Sequence, residues 1–133
     1  MAAKKNLGMG LDLLLTAVDE EKTGWHNQSI MDRAQTWYRK AVSEDEKGNV
    51  FEAYHLYRQV IDLLENPPSV RLPEFESVVS QSFNNAAIIL YDAGWLDMAC
   101  TFLRRAMEVY SENQTARENY LAIMAFTQAK GFE

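Results

Sequence analysis

Apolar residues recur along this chain at helical spacing, in blocks separated by glycine, proline or runs of polar residues. Leu7, Leu11, Leu14, Leu15 and Val18 fall on one face of a short helix over Leu7–Val18, weakened at its start by Gly8 and Gly10. The following DEEKTGWHNQ, Asp19–Gln28, is polar apart from Trp25 and reads as a linker. Ile30, Ala34, Trp37, Tyr38 and Ala41 then share a face, predicting a helix over about Ile30–Lys47 with Asn27 or Ser29 as its cap and Gly48 as its stop. Asn49-x-x-Glu52 has the form of a capping box opening a helix over Val50–Leu64. Asn66-Pro67-Pro68 ends that helix, and Ser69–Leu72 should be extended or loop. Pro73 suits a first helical position, and Glu74 and Glu76 suit the positive first turn. A long helix over about Pro73–Ala93 follows, with Phe75, Val78, Val79, Phe83, Ala86, Ala87 and Leu90 as its broad apolar face. Gly94 ends it, Leu96–Tyr110 is its partner, and Asn113 caps a last helix over about Gln114–Lys130 carrying Tyr120, Leu121, Met124 and Phe126.

The pattern is internally repeated. Gly48–Leu64 and Gly94–Val109 each open on a turn glycine, place alanine five residues later (Ala53, Ala99) and a bulky residue four after that (Tyr57, Leu103), then Val60 or Ala106. The turns between paired helices are short, so each pair must be antiparallel. Small residues belong where two helices cross closely, and large ones fill the spaces between crossings. A plain helical bundle with short loops is the other architecture these helices allow.

These residues resemble the tetratricopeptide repeat family, whose unit has an aromatic and a small residue in its first helix, a turn glycine, then alanine, an aromatic and alanine in its second. One copy here is Trp37, Ala41, Gly48, Ala53, Tyr57 and Val60; the other is Phe83, Ala87, Gly94, Ala99, Leu103 and Ala106. The glycines stand 46 positions apart (94 − 48), against roughly 34 in a standard repeat, the excess falling at Asn66–Glu76. The resemblance implies an all-α fold: a right-handed array of antiparallel helix hairpins, two repeats plus a C-terminal helix, over residues 29–133, preceded by a flexible segment 1–28 with its short amphipathic helix. In that family the first helices line a concave groove that takes peptides or partner helices. By register the groove here would present Gln35, Tyr38, Val42, Gln81, Asn84, Ile88 and Tyr91. It lacks the Lys/Asn/Arg set of family members that clamp a C-terminal carboxylate; Tyr38 and Val42 stand at two of those places.

Composition narrows the function classes. The chain has 133 residues, 47% apolar and 24% charged, which is an ordinary globular balance for one domain. The net charge of −6 argues against non-specific binding to nucleic acid or an anionic membrane. No stretch is long enough to span a bilayer. The single cysteine, Cys100, permits no internal disulfide and fits a reducing, cytoplasmic setting. Lys4, Lys5 and the apolar run after them look superficially like a signal peptide, but Asp12 interrupts the run and no small-x-small cleavage site follows, so a retained segment is expected.

No chemistry of a site stands out. His26 and His55 have no metal-ligand spacing to Cys100 or to carboxylates. Ser43–Gly48, SEDEKG, fails as a calcium loop because Lys47 and Tyr54 stand where oxygen ligands are needed. Gly8-x-Gly10 has neither a preceding strand nor a third glycine, and no nucleophile–base pair can be assigned. The expectation is therefore a non-enzymatic interaction module without metal or cofactor: an adaptor or scaffold for a protein or peptide partner, with self-association through an exposed helix face as a further mode. A shorter resemblance points elsewhere. Leu7-Gly8-Met9-Gly10-Leu11-Asp12-Leu13-Leu14 is similar to the N-terminal segment of ParB-type partition proteins, although Met9 stands where those have a basic residue. That similarity implies a regulator or cargo adaptor of a ParA/MinD-type ATPase, with Lys4, Lys5, Leu7, Leu11 and Leu14 as the effector residues.

Overall fold

The chain is seen in a computed structural model that describes residues 21–65, 67 and 72–129. Among them there are five α-helices and no strand: α1 Glu21–Glu46, α2 Val50–Asp62, α3 Pro73–Asp92, α4 Leu96–Val109 and α5 Gln114–Ala129, with one 3₁₀ turn, Leu63–Glu65, after α2. The expected helix over Leu7–Val18, and with it Lys4, Lys5, Leu7, Leu11 and Leu14, lies outside the described residues.

Four of the five helices match the expected spans to within two residues. The exception is α1, which begins at Glu21 and so takes in most of the polar run read as a linker. Polarity alone does not stop a helix: Glu, Lys and Gln are good helix formers, and the run contains no proline. Gln28 is buried, and its amide donates to Asp32 one turn on at 3.0 Å. The helix is 26 residues long, about 39 Å.

The two turn glycines do the same work. Gly48 and Gly94 have φ of +89° and +91°, a region that costs a residue with a Cβ about 1–2 kcal/mol. Each stands in a paired hydrogen-bond motif that closes a helix C-terminus. Gly48 N–H donates to Asp45 C=O at 3.0 Å and Asn49 N–H to Glu44 C=O at 2.9 Å; Gly94 N–H donates to Tyr91 C=O at 3.0 Å and Trp95 N–H to Leu90 C=O at 2.9 Å. The Asn49 side chain does not cap α2 as the capping-box pattern predicts. It turns back to donate to the Glu44 carboxylate at 2.7 Å, which holds that carboxyl below its ordinary value. Asn113 does cap α5, accepting from Ala116 N–H at 3.0 Å, and Pro73 sits in the first turn of α3.

Sequential helices pack on one another, α1 on α2, α2 on α3, α3 on α4 and α4 on α5; α1 also meets α3, and α3 meets α5. Ala53, Leu56, Tyr57, Val60 and Ile61 are the buried stripe of α2, and Ala99, Leu103 and Ala106 that of α4. Eight alanines (34, 41, 53, 86, 87, 99, 106 and 116) have no exposed surface, which marks the close helix crossings that small residues permit. α3 is the centre of the assembly: it touches all four other helices, and eleven of its twenty residues are buried.

Nothing lies within 4 Å of a Cβ built on Gly48 or Gly94, so replacement strains only the backbone. Gly48→Ala and Gly94→Ala should each lower unfolding free energy by about 1–2 kcal/mol in urea titrations, while Gly48→Asn costs less because asparagine visits this region more readily. Equal losses for alanine and asparagine would contradict this account of the turns.

Candidate protein-interaction surface

The wall formed by the first helices of the two hairpins, α1 and α3, carries all seven residues expected in the groove, but the structure divides them by depth. Tyr38 and Asn84 are 1% exposed and Gln35 is buried, so these three side chains belong to the interior. Val42, Gln81, Ile88 and Tyr91 are partly exposed and form what the wall offers to solvent. Tyr91 meets Phe126 of α5 edge to face, with ring centroids 6.3 Å apart.

Hydrogen bonding explains the division. A polar ladder, buried at its centre and partly exposed at its ends, crosses the molecule. Asn119 of α5 donates to Asn84 Oδ1 at 2.9 Å, and Asn84 donates to Asn85 Oδ1 at 3.2 Å. The Asn85 amide reaches two tyrosines, donating to Tyr57 Oη at 3.2 Å and Tyr38 Oη at 3.4 Å. Tyr57 donates to the Asp45 carboxylate at 3.0 Å; Tyr38 donates to Gln81 Oε1 at 2.9 Å, and Gln81 donates to Ser77 Oγ at 3.0 Å. Each hydroxyl accepts on one side and donates on the other, so the chain has one consistent direction. A second bridge fastens the α4–α5 turn: Asn113 donates to Ser80 Oγ at 2.8 Å, and Ser80 donates to Ala106 C=O at 2.7 Å.

Tyr57, Asn85, Ser80 and Asn119 were not among the residues assigned to the wall from sequence. The available signal was chemical. Tyr38 and Tyr57 both occupy core positions of their helices, and a buried phenol needs a partner for its hydroxyl. Polar residues at α3 positions facing them were the candidates to supply it.

Among the described residues no group of three or more His, Cys, Asp or Glu could hold a metal ion. An open cleft of about 670 Å³ between α4 and α5 includes Cys100 and Met124, whose sulfurs are 3.9 Å apart, with the thiol donating. Partial burial pushes the Cys100 thiol up from its ordinary value, which disfavours the thiolate a nucleophile needs. Ser82 is wholly buried and beyond reach of a substrate. No helix of the described residues is long and apolar enough to cross a membrane.

Fold and wall together define an all-helical domain with a polar-cored central helix. Comparison with known proteins adds no relative: no family model, no curated protein and no solved structure matches the chain.

The ladder has a pH signature. Burial, chiefly, raises the Tyr38 hydroxyl to about 12, and burial followed by the Asp45 carboxylate raises that of Tyr57 as well. An unfolded tyrosine titrates near 10. Above about pH 10 the unfolded chain therefore releases protons that the folded chain retains, and stability falls as pH rises through the raised values. Urea midpoints should hold steady to about pH 9 and then decline, and Tyr38→Phe with Tyr57→Phe should flatten the decline. An unchanged slope in the double variant would contradict the assignment.

Proposed function

We propose that this chain is a non-enzymatic adaptor of tetratricopeptide-repeat-like build, holding a peptide or helix of a partner protein against the α1–α3 wall. The observation that carries this reading is the duplicated hairpin. Two turns with the same glycine conformation and the same pair of closing hydrogen bonds introduce helices with equivalent buried residues, Ala53, Tyr57 and Val60 matching Ala99, Leu103 and Ala106. Units that stack by repetition leave one side of each first helix uncovered, and such extended helical faces can take a peptide or helix of another chain. The exposed part of the wall is small: Val42, Ile88 and Tyr91 give apolar contact, beside the partly exposed amide of Gln81, which Tyr38 and Ser77 hold in place. Tyr38, Gln35 and Asn84 act from behind it, fixing the positions of α1 and α3. A reducing compartment suits a chain with one thiol and no crosslink.

Selection of a displayed random-peptide library on the full chain tests this reading. Enriched peptides should share a motif and lose about tenfold or more in affinity for Val42→Glu with Ile88→Glu, with the melting transition little changed because both positions are partly exposed. Peptides that bind wild type and variant equally would remove the wall as the binding surface.

A further inference from the structure

Five of the six large hydrophobic residues that the described part of the molecule exposes stand at one end of it. The six are Val50, Phe51, Trp95, Met98, Leu121 and Phe126, with Phe51 89% and Trp95 59% exposed. Val50 and Phe51 open α2, directly after the α1–α2 turn. Trp95 and Met98 flank the start of α4, directly after the α3–α4 turn. Phe126 is in the last turn of α5. The side-chain contacts level these segments. Tyr38, eight residues before the end of α1 (46 − 38), meets Asn85, seven before the end of α3 (92 − 85), so the two C-termini lie together. Tyr91 near the end of α3 meets Phe126, and Cys100 near the start of α4 meets Met124, which brings the end of α5 to the same level. Only Leu121 lies elsewhere, in the middle of α5.

Phe51 is out of phase with the buried stripe of its own helix, which runs through Ala53, Leu56, Tyr57, Val60 and Ile61. Packing therefore gives no reason for a phenylalanine there. The surface beside Trp95 is hollow: a depression of about 290 Å³ lined by Gly94, Trp95, Leu96, Asp97 and Met98 adjoins the α4–α5 cleft, sharing Gly94, Leu96 and Asp97 with it. The charge around these apolar groups is predominantly acidic. Among the described residues the terminal turns at this end carry Glu44, Asp45, Glu46, Glu52, Asp92 and Asp97 against a single lysine, with Arg104 further along α4 in the adjoining cleft. That lysine, Lys47, is 3.6 Å from Glu44 and so is partly offset within the protein.

We propose that this end of the helical array is a docking surface for a cationic amphipathic segment of another protein, which seats apolar side chains on Phe51, Trp95 and the hollow beside it and sets lysines or arginines against the acidic rim. Charge complementarity selects this occupant. A second copy would bring the same carboxylates face to face, and an anionic bilayer would be repelled by them. This surface is distinct from the α1–α3 wall, and the inference stands whether or not the wall binds anything.

The test uses the full chain and three short fluorescein-labelled synthetic peptides. The first has leucine and lysine at helical amphipathic spacing, the second has glutamate in place of lysine, and the third has serine in place of leucine. Fluorescence anisotropy should show saturable binding of the first at physiological salt, about tenfold or more tighter than either of the others. Phe51→Ser with Trp95→Ser should weaken it about tenfold with an unchanged melting curve, and Glu52→Lys with Asp97→Lys should shift preference toward the glutamate peptide. Val42→Glu with Ile88→Glu should leave this binding intact. The proposal is overturned if the serine peptide binds as well as the leucine–lysine one, or if the Phe51/Trp95 variant binds as wild type does. It is also overturned if sedimentation shows a dimer that depends on Phe51 and Trp95.

Discussion

Everything in this molecule is arranged around a helix that is buried yet polar. α3 touches each of the other four helices, and on its surface stand Ser77, Ser80, Gln81, Asn84 and Asn85. A buried amide or hydroxyl left without a partner costs roughly 1–3 kcal/mol, so the helices around α3 have to arrive in one register. The tyrosines of α1 and α2 meet Asn85, the asparagine of α5 meets Asn84, and the α4–α5 turn closes on Ser80. Apolar packing brings the helices together without direction; the ladder decides how far each may slide. A one-residue shift of α2 would carry Tyr57 away from both Asp45 and Asn85.

The same constraint shapes what the surface presents to solvent. Buried residues that fasten the wall from within are turned away from solvent, which leaves Val42, Ile88 and Tyr91 partly exposed on that side, with Gln81 partly exposed yet bound into the ladder. At the turn end the reverse holds. The closing motifs at Gly48 and Gly94 are satisfied by backbone alone, so the side chains just beyond them, Phe51 and Trp95, are free to face solvent. Rigid interior and available surface are thus two consequences of where hydrogen bonds are made.

The helices were legible because their signals are local. Glycine at a left-handed position, proline at the first turn and apolar residues every three or four places act within one helix, and the structure follows them closely. The buried identity of Ala53, Tyr57, Ala99 and Leu103 was legible for the same reason. What one helix does not encode was missed. Asn84 looks like a surface residue until Asn119 and Asn85 are placed beside it, and these come from another helix and from a neighbour that faces two tyrosines. Asn49 carried a local capping signal, but Glu44 across the turn offered a charged acceptor at 2.7 Å and won. The polar run before Ile30 was misjudged because polarity reports exposure more reliably than it reports the end of a helix.

Native-state hydrogen exchange in increasing denaturant tests the central role of α3 most directly. If the ladder holds the other helices to it, the amides of Ser80–Leu90 exchange only through global unfolding and are the last to lose protection. Exchange of those amides at a denaturant concentration where the α1–α2 hairpin is still protected would contradict the account, because the outer helices would then be holding their positions without the helix proposed to fix them.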